Sequence, residues 1–415
     1  MKKYYSRNSC RVCFSQNVFK AVPLKSTPIG DAYHDNVKKE TSSLVFPLDL
    51  YICEKCGLGQ LLDVVSPELL YGDFIYETAI SVGLKDHFKE LAENIISKFQ
   101  LSQKSFIFDI GSNDGTLLKN FKLKNMSVLG CEPAYEIAQR ADENGVPTIT
   151  DYFSDKIAKK VVNNHGIPDV ITSNNTIANI DDLDSFIGSI KLLLTKNNVF
   201  IFETGYLLDI VKKGLFDTVY HEHLSYFSVM SLDMLFKKNG LELFDIELIN
   251  TKGGSIRGFV QSKNGFHKKS NSVLEQIEKE KNFKINQKSP YDNLNLRLRE
   301  MKNDLATFLT KIKANKQSVC GYGASVGVTT FLYFTNVASQ IEYLFDDNPA
   351  KYDLYSPGND IKVLNSKYIY DIKPDYIIIF AWRYASFIMN NHKLYSKKIG
   401  KFFLPWPTTG ILDQE

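Results

Sequence analysis

Residues 219–227 read V-Y-H-E-H-L-S-Y-F and bring Tyr220, His221, Glu222, His223 and Tyr226 within seven positions. Neutral imidazole takes up a proton near neutral pH, and a carboxylate beside it orients the ring or raises its pKa. A tyrosine hydroxyl donates to a developing oxyanion. The chain has only 7 histidines, so two within three residues stand out from its composition. The same residue types also suit a polar loop over a core edge or a weak metal pair, because ionisable clusters are often structural. If the segment is extended, His221 and His223 share a face; in a turn only one of them need point at a substrate.

A second set of reactive side chains lies near the N-terminus. Four of the 6 cysteines form two C-x-x-C pairs, Cys10/Cys13 and Cys53/Cys56. Such a knuckle turns two thiolates toward one ion, and two knuckles complete a tetrahedron around Zn2+. Gly57 suits the tight turn after the second pair. The pairs are 39 residues apart, more than a compact zinc ribbon needs, which predicts a small β module inserted between them. Disulfides are disfavoured in a reducing compartment, and a redox motif needs only one pair. Cys131 and Cys320 sit in apolar strand-like segments and read as core thiols. The module is not notably basic, so its expected role is scaffolding.

These groups need a frame to position them. Hydrophobic content of 44% and charged content of 23% are those of an ordinary globular protein, and the length suits two to three domains. A net charge of +3 argues against a nucleic-acid surface. No apolar run reaches the ~18 residues of a membrane span, and the N-terminus lacks the apolar core of a secretion signal. The expectation is a cytoplasmic monomer with neither nucleic-acid nor membrane partners.

Residues 71–81, Y-G-D-F-I-Y-E-T-A-I-S, lead into a helix with Leu84, Phe88, Leu91, Ile95 and Phe99 at helical spacing. Tyr76 sits at that junction. Next, S-F-I-F-D-I-G-S-N-D-G-T-L-L predicts a strand over 106–110, a Gly-rich turn and a helix. Gly111 and Gly115 allow close approach of backbone to ligand, and Asp109 ends the strand. The turn carries Asn113 and Asp114 but no phosphate-loop lysine. Its acidity suits the positively charged amino-acid end of S-adenosylmethionine. The strand over 127–131 ends in Glu132, where a ribose diol is gripped. The strand over 147–150 ends in Asp151, suited to an adenine edge. Strands over 169–172 and 198–203 lead into S-N-N-T-I-A-N, with Asn174 and Asn179, and E-T-G-Y. Polar groups at five strand ends on one edge give a Rossmann-like methyltransferase domain, with a different doubly wound nucleotide binder as the alternative.

The polar, lysine-rich stretch 268–290 reads as a solvated helix or connector. A helical stripe follows: Leu294, Leu298, Met301, Leu305, Phe308 and Ile312. Strands from 318, over 341–345 and over 375–380 then build a second α/β layer with its own Gly turn at Gly321 and Gly323. The fold class is therefore α/β in three parts: a zinc-binding β module (1–75), a central S-adenosylmethionine domain (76–250) and a Rossmann-like C-terminal domain (251–415).

Read together, the paired knuckles, F-D-I-G-S-N-D-G-T-L-L, F-D-T-V-Y-H-E-H-L-S-Y-F-S and the later G-Y-G-A and D-D-N-P-A-K resemble the nucleotide-sugar C-methyltransferases along nearly the whole chain. That family adds a branch methyl to C3 of 4-keto deoxysugars, with the sugar nucleotide between the last two domains. The resemblance implies an active-site set of Tyr220, Glu222, His223 and Tyr76, with His223 as the base that forms an enolate. It implies a donor role for Tyr220 or Tyr76 and leaves His221 a structural hydrogen-bonder. This chain departs from the family in having Asn179 where N-x-L-A-H has its histidine, and Y-G-A-S-V-G-V where Y-G-A-x-x-K-G has a lysine. Asparagine exchanges no proton at neutral pH. The alternatives are O-methylation of a nucleotide sugar and a zinc-containing binding protein without catalysis.

Overall fold

Continuous apolar runs such as F-I-F-D-I and V-F-I-F-E suit strands covered by helices on both faces, which is how parallel sheets are buried. In the computed structural model, which describes residues 3–35, 39–71 and 83–412, those runs form the middle of a seven-stranded sheet. Its order is Leu241–Ile249, Ser255–Ser262, Val199–Gly205, Val170–Asn174, Phe106–Ile110, Ser127–Cys131 and Thr148–Ile149. The last five are mutually parallel. The chain moves outward from Phe106–Ile110 in one direction, then returns to build in the other. A crevice for ligands therefore opens at the carboxyl ends of Phe106–Ile110 and Val170–Asn174. The helix Leu84–Lys98 covers one face with Leu84, Phe88, Leu91, Ala92 and Ile95, the expected stripe.

The first two strands of that order are antiparallel additions. The expected division after residue 250 falls in the turn between them, with Ser255–Ser262 still in the central sheet. The reason is burial: every residue from Ser255 to Gln261 is buried against Val199–Gly205 and Leu241–Ile249.

The N-terminal module holds a four-stranded antiparallel sheet ordered Val18–Val22, Leu50–Cys53, Gly59–Leu61 and Ser225–Tyr226. Its fourth strand is thus supplied by the V-Y-H-E-H-L-S-Y-F segment, far along the chain. The C-terminal sheet runs Lys362–Asn365, Tyr343–Asp346, Val319–Tyr322, Tyr376–Ile379 and Lys401–Leu404 in parallel, with Gly410–Leu412 antiparallel at its edge.

Within the polar stretch 268–290 lies the helix Ser272–Phe283, and one of its charges is not solvated. Glu280 is fully buried and accepts from the Val229 and Met230 N–H groups at 2.6 and 2.9 Å and from the Tyr206 hydroxyl at 2.8 Å. It thereby caps the helix Val229–Lys238. The long helix Ser289–Ala314 buries Leu294, Leu298, Met301, Leu305, Leu309 and Ile312, while Phe308 stacks on Phe403 with ring centroids 3.8 Å apart. No helix among the described residues is long and apolar enough to cross a membrane.

Candidate active site

At the carboxyl edge of the central sheet, Asp109 is buried and accepts from the Thr172 hydroxyl at 2.6 Å. Burial pushes its carboxyl up to about 7; the Thr172 bond opposes this and the Glu132 charge adds to it. Gly111 has φ 71°, and a Cβ there would stand 2.2 Å from the Thr176 hydroxyl. Glu132 accepts from the Asn113 N–H at 3.1 Å and the Ala134 N–H at 3.0 Å, and burial still holds its carboxyl above the ordinary range. Asp114 caps the next helix through Thr116. Asp151 is exposed and accepts from the Tyr152 N–H. The side-chain nitrogen and oxygen of Asn174 and the hydroxyl of Ser112 are buried without hydrogen-bond partners among the described residues. Carboxylates around unpartnered amide and hydroxyl groups suit a cationic ligand rich in hydroxyls.

The segment 219–227 is a turn that runs into a strand. The His223 N–H donates to the Tyr220 carbonyl at 3.0 Å, and Ser225 and Tyr226 pair with Gln60 and Gly59. This geometry separates the two histidines. His223 Nε2 lies 3.1 Å from the Tyr220 hydroxyl, with ring centroids 4.2 Å apart. Burial depresses His223 to about 3; the Lys252 charge adds to this and the Thr218 carbonyl opposes it. The imidazole is therefore neutral at any physiological pH. His221 turns away: its ring Nε2 donates to the Phe46 carbonyl at 3.3 Å and its ring meets Phe46 edge-on. It staples the turn to the N-terminal module.

Glu222 is buried with one carboxylate oxygen unpartnered, and no hydrogen bond joins it to His223 among the described residues. Burial raises it to about 7; Asp31 adds to this and Lys351 opposes it. Lys351 itself bonds Asp31 at 2.6 Å. Glu222 thus faces a junction where the N-terminal module meets the C-terminal sheet. Asn179 ends the short turn Ile177–Asn179, which packs on Ser225–Tyr226, and its side-chain oxygen is buried without a partner among the described residues. Tyr76 lies outside the described residues.

The four knuckle sulfurs of Cys10, Cys13, Cys53 and Cys56 all lie within 4.8 Å of one another. Two of the pairs, Cys10 with Cys56 and Cys13 with Cys53, are 3.5 Å apart. A tetrahedron with metal–sulfur distances of ~2.3 Å places sulfurs roughly 3.8 Å apart, so the donor set can close on one metal ion.

Several residues went unread in the sequence. Asp217, three positions before Tyr220, is buried and bound by Arg383 at 2.8 Å and by the Trp382 indole N–H at 3.0 Å, which anchors the turn to the C-terminal sheet. Glu203, in register with Asn174, is held by His87 at 2.8 Å and Arg257 at 2.7 Å. Arg11, inside the first knuckle, reaches Asp181 and the Leu224 carbonyl. The only sequence signal for it was a charge set between two metal-ligand positions.

Three domain families match the chain in order: "Putative zinc binding domain" over 10–71, "Methyltransferase domain" over 84–246 and "C-methyltransferase C-terminal domain" over 250–407. The C-methyltransferase NovU of Streptomyces niveus is 27% identical over 409 residues, spanning 98% of this chain and 97% of that protein. Among solved structures, magnesium protoporphyrin IX methyltransferase of Synechocystis PCC 6803 with bound SAH is 15% identical, covering 46% of this chain and 91% of that one, with a TM-score of 0.35. An S-adenosylmethionine-dependent methyltransferase of Clostridium acetobutylicum is 13% identical, covering 48% and 96%, also with a TM-score of 0.35. The chain thus joins, in order, regions that match a putative zinc-binding domain, a methyltransferase domain and a C-methyltransferase C-terminal domain, and it is similar along nearly its whole length to a C-methyltransferase.

Proposed function

We propose that the protein is an S-adenosylmethionine-dependent methyltransferase that adds a methyl group to the carbon beside the ketone of a nucleotide-linked keto-deoxysugar, through an enolate. The observation that carries this reading is the Tyr220–His223 pair, a partly buried neutral imidazole 3.1 Å from a hydroxyl. Asp109, Gly111, Asn113, Asp114, Glu132, Asp151 and Asn174 would hold S-adenosylmethionine, which when bound supplies an electrophilic methyl. The acidic surroundings, the lack of room for a Cβ at Gly111 and the unpartnered Asn174 side chain support that assignment. Cys10, Cys13, Cys53 and Cys56 would hold Zn2+, which closes the N-terminal module.

In this reading His223 removes the proton on the carbon next to the ketone. A carbon acid of that kind is weak, so the base needs help at the oxygen. Tyr220 gives it: the hydroxyl that faces His223 in the free protein turns to donate to the enolate oxygen. The Thr218 carbonyl then steadies the imidazolium. Asn179 adds a hydrogen-bonding group that neither gives nor takes a proton.

Mass spectrometry and NMR of products from a panel of keto and reduced nucleotide sugars test the assignment. A new methyl on carbon is expected; a methyl on oxygen would replace this reading with O-methylation. His223→Asn should lose at least about 100-fold in turnover while still binding S-adenosylmethionine. Undiminished turnover would remove His223 from the base role.

A further inference from the structure

We propose that Arg11 is a positioning residue that makes the placement of His223 depend on the metal in the four-cysteine cluster. The inference rests on the reading of His223 as the base.

Arg11 lies between Cys10 and Cys13, and its side chain is 0% exposed. Its Nε–H donates to Asp181 at 2.8 Å. Its Nη1 donates to the Leu61 carbonyl, to Gln60 Oε1 at 3.4 Å and to the Leu224 carbonyl at 3.2 Å. Leu224 directly follows His223, and Asp181 follows Asn179 by two positions. One guanidinium therefore ties the metal knuckle to both segments that carry the proposed chemistry. The Leu224 carbonyl accepts a second bond from the Leu61 N–H at 3.0 Å, so both of these donors to the end of the histidine turn come from the N-terminal module.

A guanidinium buried this deeply is costly, and its Nη2 is buried without a hydrogen-bond partner among the described residues, so the bonds from Nε and Nη1 must hold the group. Burial lowers the Arg11 pKa and the Asp181 charge opposes this. Asp181, Leu61, Gln60 and Leu224 must therefore sit where the fork of donors needs them, a geometry that lysine cannot reproduce. The position of the fork is set by the Cys10–Cys13 turn. A knuckle holds its shape through its metal, because metal binding there is folding energy. Loss of the ion opens the knuckle that carries the Arg11 backbone, whose N–H also donates to Gln60 Oε1 at 3.1 Å, and the guanidinium shifts from the Leu224 carbonyl one residue from the base.

A purely stabilising role would lower the melting temperature and leave the folded site unchanged. The test uses the full metal-bound chain with Arg11→Lys and Arg11→Gly. Both are assayed for metal content, S-adenosylmethionine affinity, imidazole nitrogen resonances and turnover with and without added guanidinium. Arg11→Lys should keep its metal and bind S-adenosylmethionine within about twofold of the parent, since those contacts lie on the other strand ends. It should shift the His223 resonances and lower kcat at least about tenfold with little change in KM, as expected for a misplaced catalytic group. Arg11→Gly should regain turnover saturably as guanidinium fills the space. If that variant does not fold, Arg11→Lys carries the test. Parent-like His223 resonances in metal-loaded Arg11→Lys overturn the proposal, as does parent-like kcat. The resonance measurement needs no substrate, so an inactive parent protein would count against the functional reading while the nitrogen shifts still decide the role of Arg11.

Discussion

Removing either side of the Asp217–Arg383 pair should have unequal consequences. The Asp217 side chain is 3% exposed and that of Arg383 is 24% exposed. In Arg383→Met the carboxylate keeps only the Trp382 indole donor and stays buried. A stranded buried charge costs about 3–5 kcal/mol. In Asp217→Ala the guanidinium already reaches water and rehydrates, so the loss is mainly one unsatisfied indole N–H and a small cavity, about 1–2 kcal/mol. The gap of roughly 2 kcal/mol corresponds to about 4–8 °C in melting temperature for a unit of this size. The double variant strands no charge and should lie close to Asp217→Ala, less damaged than Arg383→Met alone. Thermal and urea unfolding followed by tryptophan fluorescence measures this directly, because the chain's 2 tryptophans, Trp382 and Trp406, both lie on the side of the C-terminal sheet that meets the central domain. Equal losses in the two single variants, or a milder Arg383→Met, would refute the reasoning from unequal burial.

Chelation of the metal, or Cys53→Ser, should abolish the single tightly held ion and unfold the N-terminal module; metal analysis finding well under one ion per parent chain would contradict the four-cysteine assignment. Gly111→Val should eliminate S-adenosylmethionine binding by calorimetry, since its Cβ alone would stand 2.2 Å from the Thr176 hydroxyl; unchanged binding would move the cofactor elsewhere. Glu222 has its folded value raised to about 7 from 4.5, so its contribution to stability is complete below the unfolded value and lost as pH rises through about 7. Glu222→Gln should therefore gain stability relative to the parent between those values on going up in pH, and a pH-independent difference in denaturation midpoint would argue against a buried carboxyl there.

The central strands were legible because a buried parallel strand is an unbroken apolar run with a polar residue at its ligand end, as in Phe106–Ile110 ending beside Gly111. Leu241–Ile249 and Ser255–Ser262 were not read. Leu241–Ile249 is the edge strand and alternates buried and partly exposed positions, while Ser255–Ser262 beside it carries buried Arg257 and Gln261, so neither shows the plain apolar run. Glu280 was hidden by its neighbours: a window rich in Lys, Glu and Asn averages as solvated, although one carboxylate in it is wholly buried. The sequence left both an extended and a turned 219–227 open, the resemblance alone favouring His223 over His221. What closes the question is pairing with Gly59–Leu61, a partner more than a hundred positions away that no local pattern encodes. Asp181 and Arg383 were missed for the same reason: each is an ordinary surface-type residue until the fold supplies its partner.

The strand Ser225–Tyr226 completes a sheet whose other three strands lie before residue 62. During synthesis the Gly59–Leu61 edge emerges about 160 residues ahead of the segment that covers it. At ~5–20 residues per second that interval is roughly 8–30 s. For that time the nascent chain presents an unpaired β edge, and Arg11 lacks the Leu224 carbonyl. Such an edge is a template for pairing with another chain. The interval is therefore a window of vulnerability on the ribosome, during which a neighbouring nascent copy competes for the position that residues 225 and 226 later occupy.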